Sequence, residues 1–171
     1  MDLQTFIRDV PDFPKKGIIF KDITPLLADP TALDESVAAL ARPYRGAGVQ
    51  LVAAVESRGF IFGAAVAREL GAGFVPIRKP GKLPHETVSR EYVLEYGTDA
   101  VEVHADAVPP GAKVLMVDDL LATGGTMAAA CELVEAIGGA IVGVAFVIEL
   151  CFLKGRERLG GRDVHALIRV E

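Results

Sequence analysis

The sequence offers little to a metal ion, a disulfide or a nucleic acid. Cysteine is scarce: Cys131 and Cys151 are the only two, and they show neither metal-ligand spacing nor a disulfide framework. Cys131 falls on the apolar side of an expected helix and reads as a small core residue. Histidines are few, and His85, His104 and His165 have no partner at ligand spacing, so no metal held by protein side chains is expected. Basic arms are missing. Lys and Arg number 18 against 23 Asp and Glu, and extended DNA or RNA contact needs a basic footprint, so nucleic-acid binding is not expected. Long apolar runs are missing too: Ala140 to Leu150 is too short to span a bilayer and reads as a core strand. The opening Met1-Asp2-Leu3 carries no basic or apolar signal region. No membrane association and a reducing, cytoplasmic setting are the expectation. There are no repeats, low-complexity tracts or dividing linkers, so the 171 residues are expected to form one domain.

What is present centres on Val114 to Thr126, Val-Leu-Met-Val-Asp-Asp-Leu-Leu-Ala-Thr-Gly-Gly-Thr. Val114 to Val117 read as a strand buried on both faces, as in a parallel sheet. Two carboxylates, Asp118 and Asp119, follow at its end, then a small-residue turn, then a helical pattern beginning near Thr126. Strand, Gly-rich turn and helix start make an anion site, because unpaired backbone N–H groups and the helix dipole point at one spot. Ala122, Thr123, Gly124, Gly125 and Thr126 are its candidate phosphate ligands, the threonines adding hydroxyl donors. A carboxylate repels phosphate, so Asp118 and Asp119 are assigned to sugar hydroxyls, for which acceptors are needed. The ligand asked for carries a phosphate and a neighbouring diol. The stretch lacks the Gly-Lys-Ser/Thr of a triphosphate loop and the spacing of a dinucleotide fingerprint.

The rest of the chain alternates strand and helix. Leu3, Phe6, Ile7 and Val10 predict a short amphipathic helix stopped by Pro11. The proline-containing, apolar stretch to Pro30 cannot be regular helix and should fold over something. Asp29-Pro30 predicts a capped helix ending near Gly46 to Gly48. A strand at Val49 to Val55, an all-round apolar and therefore sandwiched helix at Phe60 to Leu70, and a strand at Gly73 to Ile77 follow. Glu86 to Tyr96 reads as a hairpin-like excursion, with a strand near Ala100 to His104. The last elements are a helix to Gly138-Gly139, the strand at Ala140 to Leu150, a short helix at Lys154 to Leu159 and an edge strand at Val164 to Val170. This calls for an α/β fold with a mainly parallel sheet and right-handed crossovers. The Glu56-Ser57-Arg58-Gly59 turn lies at a strand's carboxyl end, where such sheets bind ligands. Arg78, Lys79 and Lys82, set among Pro80, Gly81 and Pro84, form the one concentrated positive spot and suit a polyanion such as pyrophosphate.

Val117 to Thr126 resembles the 5-phosphoribosyl-1-pyrophosphate (PRPP) signature of the type I phosphoribosyltransferases. The hood segment, the Arg78 to Pro84 run and Leu94-Glu95-Tyr96-Gly97 narrow the resemblance to the branch acting on adenine. It extends from Pro14-Lys15-Lys16-Gly17 to Leu153-Lys154-Gly155-Arg156. The resemblance implies the type I fold: a central sheet flanked by helices, an N-terminal hood over about residues 1–35 and a mobile lid hairpin over about residues 79–104. It implies transfer of the phosphoribosyl group from PRPP to adenine, giving AMP and pyrophosphate in purine salvage, with inversion at the anomeric carbon. Ala122 to Thr126 would take the 5-phosphate and Asp118 and Asp119 the ribose hydroxyls. Ser57, Arg58, Arg78, Lys79 and Lys82 would take pyrophosphate; Phe20 would stack on the base while the backbone of Ile19 and Lys21 reads its edge. Glu95 is the implied proton-transfer residue. Mg²⁺ is expected to arrive on PRPP or pyrophosphate rather than in a protein cage. A homodimer is the implied assembly.

Alternatives stay open at this point. Phe20 also reads as a plain core residue, Glu95 as an exposed hairpin carboxylate, and Lys21 lacks the planar fork of the arginine many relatives carry there. An oxopurine substrate and a PRPP-sensing regulator without turnover are the competing functions.

Overall fold

The structure, a computed structural model, describes residues 1–94 and 97–171. Its first surprise is the N-terminus. The apolar spacing that predicts a helix there forms only one 3-10 turn, Leu3–Phe6, with the Asp2 side chain accepting from Gln4 N. The chain then straightens into β1 (Arg8–Pro11), which pairs antiparallel with β2 (Ile19–Asp22). Leu3 still reaches a hydrophobic core with Phe6 and Ile7 packed at its edge, so the apolar residues are used without a helix. The pairing partner, the next strand along the chain, overrides the local period.

After a five-residue helix α1 (Thr24–Ala28), α2 (Pro30–Ala41) starts where Asp29 accepts from Thr31 N and Ala32 N at 3.0 and 2.8 Å. Then come β3 (Leu51–Val55), α3 (Arg58–Leu70) and β4 (Gly73–Ile77). β5 (Thr87–Leu94) and β6 (Gly97–His104) make an antiparallel pair outside the main sheet. β7 (Lys113–Leu121), α4 (Gly125–Ala136), β8 (Ala140–Leu150), a 3-10 turn at Gly155–Leu159 and β9 (Val164–Val170) complete the chain.

The main sheet has the order β4-β3-β7-β8-β9, parallel throughout, with β9 on the edge as expected. Alternation along its strands sends residues to two cores. Val114, Met116, Val144 and Phe146 join α4 and the β5–β6 hairpin on one face. Leu115, Val117, Ala145 and Val147 join α2, α3 and the N-terminal turn on the other. Two expectations change here. β7 does not stop at Val117 but carries Asp118 to Leu121 within the strand, because β8 continues to pair with it as far as Leu121↔Glu149. Helix α3 is not sandwiched: Gly59, Phe62, Gly63, Val66 and Ala67 are buried, while Ile61, Ala64 and Arg68 face outward. Among the described residues no helix is long and apolar enough to cross a membrane.

Candidate active site

The carboxyl ends of β3 and β7 lie side by side, which brings the two βα turns into one cavity of about 370 Å³. Its lining includes Glu56, Ser57, Arg58, Lys79, Asp118, Asp119 and the whole of Ala122 to Thr126. The last stretch is built as an anion site requires. Gly124, at φ +83°, turns the chain from β7 into α4 in a conformation that favours glycine. Gly125, Thr126 and Met127, the start of α4, line the cavity, so the helix end with its unpaired N–H groups and positive dipole lies at that wall.

Close approach fixes the second turn against the first. A Cβ at Gly59 would lie 2.6 Å from Asp118 Oδ1, so only glycine lets the start of α3 rest on that carboxylate. The Glu56–Ser57 peptide preceding it is cis. Arg58 reaches across the cavity floor, its Nε 2.9 Å from Oδ2 of Asp119, which is only 5% exposed. The same guanidinium lies over the ring of Phe20, 4.9 Å from its centroid, and Phe13 meets that ring edge-on at 5.1 Å. The β1–β2 hood is thereby joined to the cavity by a cation–π contact. Burial, then the neighbouring Asp119 charge, push the Asp118 carboxyl well above the usual carboxylate range, against the pull of Arg58.

The basic run is more engaged than its composition suggests. Arg78 Nε donates to Glu56 Oε1 at 3.2 Å, and the same oxygen accepts from Lys79 N at 2.7 Å. Lys79 Nζ turns to the β5–β6 hairpin, where it pairs with Asp99 and donates to Tyr92 Oη at 3.0 Å. Burial lowers the Lys79 pKa, but the hydrogen bonds to Asp99 and Tyr92 outweigh it, and the net shift is upward. Lys82 is exposed and does not line the cavity, and Arg78 touches it only through Glu56. In the hood, Ile19 is exposed, and the Lys21 ammonium is drawn away to Asp9 at 2.6 Å. Glu95 lies outside the described residues. Among the described residues no group of three or more His, Cys, Asp or Glu is placed to hold a metal ion.

These shapes have known counterparts. The phosphoribosyl transferase domain family matches residues 27–163. The adenine phosphoribosyltransferase of Thermobifida fusca is 57% identical over 168 residues, 98% of this chain and 96% of that one. The chain belongs to the adenine phosphoribosyltransferase family. Among solved structures, the adenine phosphoribosyltransferase of Thermoanaerobacter pseudethanolicus superposes with a TM-score of 0.96 at 55% identity, covering 99% of this chain and 98% of its own. That of Saccharomyces cerevisiae, solved with adenine and an imino-altritol bisphosphate, gives 0.92 at 40% identity, covering 97% and 96%.

Three residues of this adenine phosphoribosyltransferase family member escape a reading by sequence. Glu56 organises Arg78 and Lys79, and the signal was its place directly before Ser57-Arg58. Asp99 and Tyr92 sit directly opposite each other in the hairpin and meet Lys79 only because the hairpin folds back over α4, a placement no local pattern encodes.

Proposed function

We propose that this chain catalyses adenine + PRPP → AMP + pyrophosphate, the reaction of purine salvage. The observation that carries the reading is the union, in one cavity, of a backbone anion nest, a carboxylate pair and an arginine loop. The nest at Ala122 to Thr126 binds the 5-phosphate. Asp118 and Asp119 accept hydrogen bonds from the ribose hydroxyls. Ser57, Arg58 and Lys79, which line the cavity, serve the pyrophosphate, with Glu56 aligning Lys79 and Arg78; Arg78 and Lys82, outside the lining, are assigned to it by the resemblance alone. Phe20 stacks on the base, and the backbone at Ile19 and Lys21 reads its edge.

As the C1′–O bond to pyrophosphate breaks, its electron pair leaves with the oxygen, and adenine N9 forms the new bond to C1′ from the opposite face. Cations facing the departing oxygens and carboxylates below the ribose both favour a transition state with positive charge on the sugar. The N9 proton passes to Glu95, a role supported by the resemblance of Leu94-Glu95-Tyr96-Gly97 alone. The donors in the cavity are oxygens of the kind Mg²⁺ takes, and Mg²⁺ carried by PRPP would neutralise pyrophosphate charge there. A cytoplasmic homodimer is the setting the resemblance implies.

The test is an absorbance assay with PRPP, Mg²⁺ and one base per well: adenine, hypoxanthine or guanine. AMP formed from adenine alone is expected. Turnover of an oxopurine would overturn the base assignment, and PRPP binding without turnover of any base would make the chain a sensor instead.

A further inference from the structure

The Leu153-Lys154-Gly155-Arg156 stretch, near the C-terminus, plays no part in the chemistry above, yet it touches the phosphate nest. Gly155 is buried. A Cβ on it would collide with the carbonyl oxygen of Ala122 and stand 2.8 Å from Leu121 Cδ1. The contact is reciprocal: a Cβ on Gly124 would collide with Gly155 O and stand 3.2 Å from Gly155 Cα. Two glycines thus bring two backbones together with no side chain between them, and one of those backbones is the nest itself.

A clamp holds Gly155 in that place. Arg156 donates to both oxygens of Glu149, Nε to Oε1 at 2.6 Å and Nη2 to Oε2 at 2.7 Å, and its Nη1 donates to Val164 O at 2.8 Å. Glu149 is 3% exposed and sits opposite Leu121 in the β7–β8 ladder, one residue before the nest begins. The Arg156 hydrogen bonds, against a burial cost, hold its carboxyl below the usual glutamate range. On the far side of the turn, Leu159 is fully buried in the α4 core. The clamp therefore ties the end of β7, the turn and the edge strand β9 into one unit behind the nest.

The geometry points to Gly155, Arg156 and Glu149 as positioning residues for the 5-phosphate subsite: they press the Ala122–Gly124 backbone into the curvature that aims its N–H groups at phosphate. This rests on the reading of the nest as the 5-phosphate site. A nest without a lysine depends on that curvature, since its donors are backbone groups whose directions follow the loop. Misplacement by about 1 Å can cost on the order of a hundredfold in a well-oriented site.

The test compares two ligands. Binding of ribose 5-phosphate is measured by titration calorimetry, and KM for adenine is measured at saturating PRPP. Gly155→Ala is expected to weaken ribose 5-phosphate by about tenfold or more, within that range. Arg156→Lys, which keeps the charge but loses the planar fork, is expected to weaken it about threefold or more. KM for adenine should stay within about twofold of the parent for both, since stacking at the hood uses other elements. Arg156→Lys covers the case in which Gly155→Ala does not fold. Unchanged ribose 5-phosphate binding in Arg156→Lys overturns the clamp, and so does an equal loss for adenine, which would mark general destabilisation. Failure of the parent protein to bind ribose 5-phosphate would overturn the nest assignment itself.

Discussion

Arg58 and Asp119 face each other across the cavity, Nε to Oδ2 at 2.9 Å, as an ion pair rather than a well-aligned hydrogen bond. The contact joins a cation assigned to pyrophosphate and a carboxylate assigned to ribose. Each therefore holds the other in place before substrate arrives, and each must share its partner when substrate binds. Removing the cation strands a buried charge, which is more costly than losing an exposed pair. Arg58→Gln is expected to raise KM for PRPP by about tenfold or more, the loss of roughly 1.5–3 kcal/mol that a charged hydrogen bond carries. In a double-mutant cycle with Asp119→Asn the losses should be less than additive, with a coupling above about 0.5 kcal/mol. Strict additivity would mean that the two side chains act independently and the pair has no role in binding.

Asp118 gives the site a pH dependence with a definite sign. Its folded pKa is raised, so the native protein holds that proton more tightly than the unfolded chain does. The resulting stability is full below the ordinary carboxylate pKa near about 3.9 and is lost as pH rises through the raised value. On the proposed assignment of Asp118 to the ribose, ligand binding runs the other way, because a hydroxyl donates to the carboxylate and not to the acid. Affinity for ribose 5-phosphate should increase with pH above the ordinary carboxylate range. Asp118→Asn should remove that increase, leaving only the slope from the second phosphate ionisation near about 6. Calorimetric titrations at several pH values would decide it; identical slopes in both proteins would put the hydroxyl contact elsewhere.

The strand, turn and helix start that carry the proposed phosphate site were legible because their determinants are local. A buried strand, a turn of small residues and a helix start occupy consecutive positions, so Asp118 to Thr126 could be read without any tertiary information. The parallel sheet was legible for the same reason, since each strand and helix announces itself by its own period. Less was legible where a pairing or packing partner elsewhere in the chain decides. Leu3 to Val10 has a helical spacing, but β2 is available to pair with the second half of it. Lys79 reads as one of three cations in a concentrated positive spot, and its pairing with Asp99, twenty positions on, shows only in the packed chain. Gly155 fell within an expected short helix, and only the packed chain shows the Ala122 carbonyl against it.

The seating of α3 on the sheet gives a prediction about stability alone. A Cβ at Gly63 would lie 2.6 Å from Ala54 Cβ and 2.9 Å from Phe74 Cε2, with both neighbours fixed in adjacent strands. Alanine is the better helix former by about 1 kcal/mol, so propensity by itself favours the substitution. Overpacking opposes it and typically costs about 1–3 kcal/mol, so it should win where the neighbours are backbone-anchored. Gly63→Ala is expected to lower stability by roughly 1–2 kcal/mol in denaturant unfolding. A stabilised variant would show that α3 can lift from β3 and β4 without loss.

Lys79 faces a choice between the hairpin and the substrate. Its ammonium is committed to Asp99 and Tyr92, while its side chain also lines the cavity assigned to PRPP. Asp99 competes with pyrophosphate for the same charge, and the hydrogen bond to Lys79 keeps its carboxyl below the usual range, so it competes as a full anion near neutral pH. The competition is modest, because both side chains are about one-third exposed and such pairs contribute about 0.2–1 kcal/mol. Asp99→Asn should therefore lower KM for PRPP by about 1.4-fold to fivefold, the same energy expressed as a ratio. Lys79→Gln should raise it by about tenfold or more, since a charge-assisted contact to phosphate is stronger than the exposed pair it replaces. Opposite signs for the two variants are what a contested lysine requires. If Asp99→Asn instead raised KM alongside Lys79→Gln, Asp99 would be orienting the ammonium toward pyrophosphate, and the hairpin would be helping substrate to bind where this reading has it competing.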